Sequence, residues 1–124
     1  MGACHRQTLG KSGEDLACRE LEKRGYAILD RRYRSRFGEL DIVARENGTV
    51  VFVEVKTRDS ARFGEGLEAV TWQKRRKIVL MAGEYMLWHG LGTAPCRFDV
   101  VAVQWNGGRP RVEVVPGAFE ATGL

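Results

Sequence analysis

Cysteine, proline and histidine are all scarce in this sequence: three, three and two among 124 residues. Cys4, Cys18 and Cys96 are odd in number and far apart, which fits neither a disulfide framework nor paired zinc ligands. Cys4 adjoins His5, but a second ligand pair is missing, so neither is assigned a role. His5 and His89 are the only histidines, and no Ser/His or Cys/His pairing offers covalent catalysis. No apolar run approaches the roughly 18 to 20 residues of a membrane span, and residues 1–11 lack the apolar core of a signal peptide. The expectation is a cytoplasmic protein without a membrane partner. Aromatic residues are few and show no repeated aromatic-basic spacing. Trp72, Trp88 and Trp105 therefore read as packing or rim residues.

What is present is ordinary globular composition, 44% hydrophobic and 29% charged. The length suits one α/β domain over residues 1–124, with loose ends at about 1–8 and 117–124. The net charge of +4 is modest, but its distribution is uneven. Arg31, Arg32, Arg34 and Arg36 crowd one segment, and Lys74, Arg75, Arg76 and Lys77 another. Each run also fits a solvated face, so neither alone identifies a polyanionic ligand.

Residues 12–24 read as a helix, with Ser12 and Asp15 as a capping box and Gly25 as its stop. Glu14, Ala17, Cys18 and Leu21 share its core-facing stripe, which therefore begins with a carboxylate. A first-turn acid is also favoured by the helix dipole alone. Residues 26–34 form a first strand. Residues 57–67, with Gly64 and Gly66, read as a mobile loop before a long helix at about 68–88. On that helix Val70, Lys74, Ile78, Met81, Ala82 and Tyr85 make one stripe, with Lys74 at its sheet end. A lysine so placed also commonly snorkels to water. Residues 97–104 and 111–115 are further strands joined by a turn at Asn106-Gly107-Gly108, the last at the sheet edge.

The chemistry lies in two β-prone runs, 39–46 and 49–56, separated by Asn47-Gly48, a strong signal for a two-residue type I′ hairpin. Counting back from a Glu46–Thr49 pair sets Asp41 opposite Glu54 and Glu39 opposite Lys56 on one face. The other face pairs Leu40 with Val55, Ile42 with Val53 and Ala44 with Val51. Directly opposed carboxylates repel unless a cation intervenes. Magnesium takes oxygen ligands and commonly one or two protein carboxylates, a description Asp41 and Glu54 meet. Lys56, two residues beyond Glu54, shares its side and can serve the attacking water. Glu14 can supply a third acid. The bland alternative is a polar sheet rim in which Lys56 neutralises its neighbours.

Asp41, a gap of twelve residues, then Glu54-Val55-Lys56 resembles the PD-(D/E)xK nuclease signature, with Leu40 where the motif has proline. Gly13-Glu14, Gly25-Tyr26, Gly38-Glu39-Leu40-Asp41, Val51 to Arg58, Val70-Thr71 with Lys74, and Arg97-Phe98-Asp99-Val100 resemble the YraN-type family of small bacterial proteins over nearly the whole chain. That family is related to archaeal Holliday junction resolvases. The resemblance implies a restriction-endonuclease-like α/β fold: a mixed sheet of about five strands flanked by helices, in the order α-β-β-β-α-β-β. It implies Glu14, Asp41 and Glu54 as acidic, metal-holding residues, Lys56 as the site lysine, and Glu39, Gln73 and Lys74 as accessory groups. Arg32, Arg34, Arg36, Arg58, Lys74 and Arg75 are then the nucleic-acid contacts. The expected activity is Mg²⁺- or Mn²⁺-dependent hydrolysis of DNA, including branched recombination or repair intermediates, by a homodimer. A non-catalytic nucleic-acid-binding or interaction module of the same fold is the alternative, since some superfamily members bind without cutting.

Overall fold

The computed structural model describes residues 12–59 and 70–121. Its elements are α1 (Ser12–Lys23), β1 (Ala27–Ser35), β2 (Gly38–Glu46), β3 (Thr49–Asp59), α2 (Trp72–Trp88), β4 (Cys96–Asn106) and β5 (Arg109–Phe119). The strands form one sheet in the order β1-β2-β3-β4-β5. Tight turns join the antiparallel pairs, whereas the crossover through α2 makes β3 and β4 parallel. This is the mixed five-strand α/β architecture expected from the sequence.

One helix covers each face of the sheet. Ala17, Cys18 and Leu21 of α1 pack on Ile42, Ala44, Val51, Val53, Val101 and Val103. Ile78, Met81, Ala82 and Tyr85 of α2 pack on Val43, Val50, Phe52, Phe98 and Val100. The central strands are buried on both sides, hence the unbroken apolar run Val50-Val51-Phe52-Val53. At the end of α1, Gly25 has φ +96° and the Tyr26 N–H reaches the Leu21 carbonyl, a Schellman closure that requires a left-handed residue. Thr71 caps α2 by accepting the Lys74 N–H.

Several boundaries differ from the sequence reading. β3 continues beyond Lys56 to Asp59 because β4 pairs with it throughout. The expected loop over 57–67 thus starts later, and residues 60–69, including the expected first residues of the second helix, lie outside the described residues. β5 extends to Phe119, whose ring stacks on Phe98 at 5.0 Å, so residues 117–119 are strand where a loose tail was expected. The ends at 1–8 and 122–124 are outside the described residues. Asp15 is buried and pairs with Arg31 at 2.9 Å, a role the capping-box pattern did not contain.

The hairpin register holds from Glu46–Thr49, across Asn47 and Gly48 with positive φ, as far as Ile42–Val53. There the ladder ends. Arg32 on neighbouring β1 lies in the left-handed region, φ 54°, and both strands change face around it. Arg31 and Ile42 belong to the α1 side, whereas Tyr33 and Leu40, which pair, belong to the α2 side. The expected ladder pairs Asp41–Glu54, Leu40–Val55 and Glu39–Lys56 therefore do not form. A two-residue turn sets the register only while strict alternation persists, and the turn of the chain at Arg32 interrupts it.

Candidate functional site

The end of the β2–β3 ladder creates the site. From Glu54 onward β3 is paired with β4 alone among the described residues. In a regular ladder the Val55 N–H would meet a β2 carbonyl; instead it donates to Asp41 Oδ2 at 2.8 Å. The carboxylate thus takes the place of the missing strand partner.

Glu54 is buried, and its Oε2 pairs with Lys74 Nζ from the first turn of α2. Burial pushes the Asp41 carboxyl up, to about 7, the charge of Glu54 adds to this, and Glu14 contributes further. The Val55 N–H and Lys74 pull it back only in part. Burial by itself would lower the Lys74 ammonium, but its contact with Glu54 and the charges of Glu54 and Asp41 outweigh that and hold it above its ordinary value. Proximity of negative charge at Asp41 is therefore real even without the expected ladder pair.

Glu14 comes from the first turn of α1. Its Oε1 accepts Arg32 Nε at 3.2 Å and lies 3.4 Å from Arg31 Nη2. Gly13 permits this approach: a Cβ there would collide with the Thr57 hydroxyl, so the start of α1 rests directly on β3 just past Lys56. Lys56 is half-buried, and strand alternation puts it on the same face as Glu54. Glu14, Asp41, Glu54 and Lys56 are thus brought to one end of the sheet by three elements, α1, β2 and β3.

The accessory positions also converge. Glu39, Gln73 and Lys74 line one cavity of about 360 Å³ between the β1–β2 turn and α2, floored by Phe37, Ile78 and Met81. The basic positions divide. Arg32 and Lys74 hold site carboxylates. Arg34 is largely exposed and pairs with Glu39 at 3.2 Å, and Arg36 lies over the Phe37 ring. Arg58 is half-buried. Arg75 donates to the Val70 carbonyl and covers the Phe119 ring, so it is fixed on the protein's own surface.

Sequence reasoning missed Arg31. Its side chain is 4% exposed and pairs with both Glu14 and Asp15, so it positions a site acid. Strand parity offered a signal, since Arg31 faces away from Arg32, Arg34 and Arg36 under simple alternation. The left-handed turn at Arg32 had none.

The acids offer carboxylate oxygens, the donor type that suits a hard cation such as Mg²⁺ or Mn²⁺, and Asp41 and Glu54 are the two that could hold one. Among the described residues no three acids, histidines or cysteines form a ready-made ligand group. Glu14 is held by its arginines rather than joined to the other two.

Comparison with known proteins agrees with the blocks of sequence that build this site. The model of a family described as "Uncharacterised protein family UPF0102" matches residues 13–103. A UPF0102 protein of Anaeromyxobacter dehalogenans is 47% identical, over 95% of this chain and 88% of its own length. One from Rhodococcus jostii is also 47% identical, over 93% and 98%, and one from Geobacter metallireducens 45%, over 94% and 95%. The matched segment contains Glu14, Asp41, Glu54, Lys56 and Lys74, and with identity this high across whole chains, this protein belongs to the UPF0102 (YraN) family.

Proposed function

We propose that this chain is a Mg²⁺- or Mn²⁺-dependent nuclease that hydrolyses phosphodiester bonds in DNA, with branched recombination or repair intermediates as its substrate class. The observation that carries the reading is the placement of half-buried Asp41 and buried Glu54 where the hairpin ladder ends, with Lys56 on the Glu54 face. Buried charge at a strand break has no packing value, and it is expensive to maintain. When bound, a divalent ion polarises the phosphoryl oxygen and makes water a nucleophile at neutral pH.

Asp41 and Glu54 are the residues that hold the ion, with Glu14 as the third acid. Lys56 orients the attacking water and offsets charge building on the phosphoryl group. Lys74 holds Glu54 in place from the first turn of α2, and Glu39 and Gln73 border the cavity that receives the adjoining nucleotide. Arg32, Arg34, Arg36, Arg58 and Arg75 supply positive potential toward the phosphates, which positions substrate without reading sequence. The reading includes a cytoplasmic setting and a homodimer, since symmetric cutting of two strands needs two sites.

The test is incubation with linear, single-stranded and four-way-junction DNA in Mg²⁺, Mn²⁺ or EDTA. Cleavage should require metal and fall by on the order of 10² to 10⁴ in both Asp41→Ala and Lys56→Ala. Product that persists unchanged in both variants identifies a contaminant. Salt-dependent binding with no metal-dependent product replaces this reading with the non-catalytic module.

A further inference from the structure

The face of α2 turned away from the core is also apolar. Trp72, Leu80, Leu87 and Trp88 are 52%, 44%, 76% and 76% exposed. Positions 72, 76, 80, 83 and 87 follow steps of four, four, three and four, so they form one continuous stripe opposite Ile78, Met81 and Tyr85. Gly83 stands in the middle of it, with nothing within 4 Å of where a Cβ would be. An exposed helix interior gains nothing from glycine, which costs about 1 kcal/mol there, but close approach of another helix does. Beside the stripe a groove lined by Phe37, Leu80, Gly83, Leu87 and Trp88 has a volume of about 640 Å³.

Two polar groups indicate what covers this face. Glu84 Oε1 is buried yet has no hydrogen-bond partner among the described residues. Arg76 lies over the Trp72 ring at 5.6 Å. All four basic residues of α2, Lys74, Arg75, Arg76 and Lys77, are in its amino half, and Glu84 is the only charged residue after them. A parallel copy would set cation against cation. An antiparallel copy sets the basic half of each helix against the Glu84 and Trp88 half of the other.

We infer that this face binds a second copy of the chain, α2 against α2 and antiparallel, about a two-fold axis beside Leu80. Leu80 then meets its own counterpart, Arg76 comes within reach of Glu84 of the other protomer, and Trp72 lies near the opposite Trp88. An isologous contact needs this self-complementarity, and the Arg76–Glu84 pairing supplies it twice, once on each side of the axis. The two Glu54–Lys74 ends are set about 18 Å apart along the helix pair. The homodimer in the proposed function rested on the need for two cuts; here the surface itself specifies the contact, whether or not the protein cuts DNA.

Sedimentation velocity on the full chain over a range of micromolar concentrations tests it, with circular dichroism confirming the fold of each variant. The parent should dimerise, and Leu80→Glu should raise the dissociation constant on the order of 30-fold or more. Arg76→Glu and Glu84→Arg should each weaken the dimer, and the double reversal should restore it, a rescue that a parallel or unrelated interface does not give. A parent that stays monomeric overturns the inference and leaves the stripe to another partner. So does a dimer indifferent to Leu80→Glu, or a double reversal no better than its parts.

Discussion

Two clusters of acids in the same sheet are treated in opposite ways. In the first, Asp99 of β4 is completely buried. Its Oδ1 accepts Arg97 Nε and the Gly117 N–H, each at 2.9 Å, and its Oδ2 accepts the Tyr26 hydroxyl at 2.9 Å and Arg97 Nη2 at 3.1 Å. The same guanidinium reaches Glu46 at 2.8 Å. Both oxygens are saturated, and the two-pronged arginine matches the carboxylate. In the second, beyond the β2–β3 ladder, Asp41 accepts one backbone N–H and Glu54 pairs with Lys74 among the described residues. Asp41 there is pushed up to about 7 by burial and by Glu54, with Glu14 adding to the rise. The saturated cluster locks β4 and β5 to the start of β1; the other has fewer donors among the described residues. A buried charge by itself therefore says little about function, and the count of its donors says more.

The largest expected effect breaks the saturated cluster. Arg97→Ala leaves Asp99 buried without its counter-ion and should cost about 3 to 5 kcal/mol, read by urea denaturation. The Tyr26 hydroxyl, pushed up to about 12 by burial and by its bond to Asp99, marks the same environment and should lose part of that rise in Asp99→Asn, seen by ultraviolet titration.

The opposite sign is expected in the other cluster. The folded carboxyl of Asp41 lies at about 7, above its ordinary value near 3.9, so the folded state holds this proton more tightly than the unfolded chain. The stabilisation is complete below about pH 4 and is lost as pH rises through 7. Asp41→Asn removes that dependence while its amide oxygen can still accept the Val55 N–H. In metal-free buffer near pH 8 the variant should be more stable than the parent by on the order of 2 kcal/mol, with the gap closing toward pH 4. A variant that is less stable than the parent at pH 8 would place Asp41 in the same class as Asp99.

How much of this was legible before the structure follows from range. Gly25, Asn47-Gly48 and the stripe through Ile78, Met81 and Tyr85 are local patterns, and each was readable because one turn or one helix repeat determines it. The gathering of Glu14, Asp41, Glu54 and Lys56 followed from register and resemblance together, but the ladder pair expected for Asp41 and Glu54 did not survive. The reason is Arg32, where a β1 residue with positive φ changes the face of β2 next to it; nothing in β2 or β3 announces that. The Asp99 network was equally silent, since Tyr26, Glu46, Arg97 and Gly117 are brought together only by the completed sheet.

Arg32 also gives a sharper comparison of local strain with local contact. A non-glycine residue with φ 54° is held there at a cost of about 1 kcal/mol or more, and here its side chain holds Glu14 at 3.2 Å. Arg32→Gly relieves the first and removes the second, so stability should change by less than about 1 kcal/mol in thermal unfolding. Metal-dependent cleavage should still fall if the guanidinium serves Glu14 or substrate. Arg32→Ala removes the contact without relieving the strain and should be the less stable of the two.

The smallest effect belongs to Arg34, one of the six basic residues that the family resemblance implies as nucleic-acid contacts. Its side chain is 84% exposed, and its 3.2 Å pair with Glu39 spans the rim of the cavity in water. Exposed pairs of this kind contribute roughly 0 to 1 kcal/mol and weaken with salt. Arg34→Ala should therefore leave the unfolding midpoint within error of the parent at moderate ionic strength. It should also reduce the salt slope of DNA binding by about one contact, if the arginine leaves Glu39 for a phosphate. An unchanged slope would confine Arg34 to the rim and shift the burden of phosphate binding to Lys74 and Lys56 at the buried end.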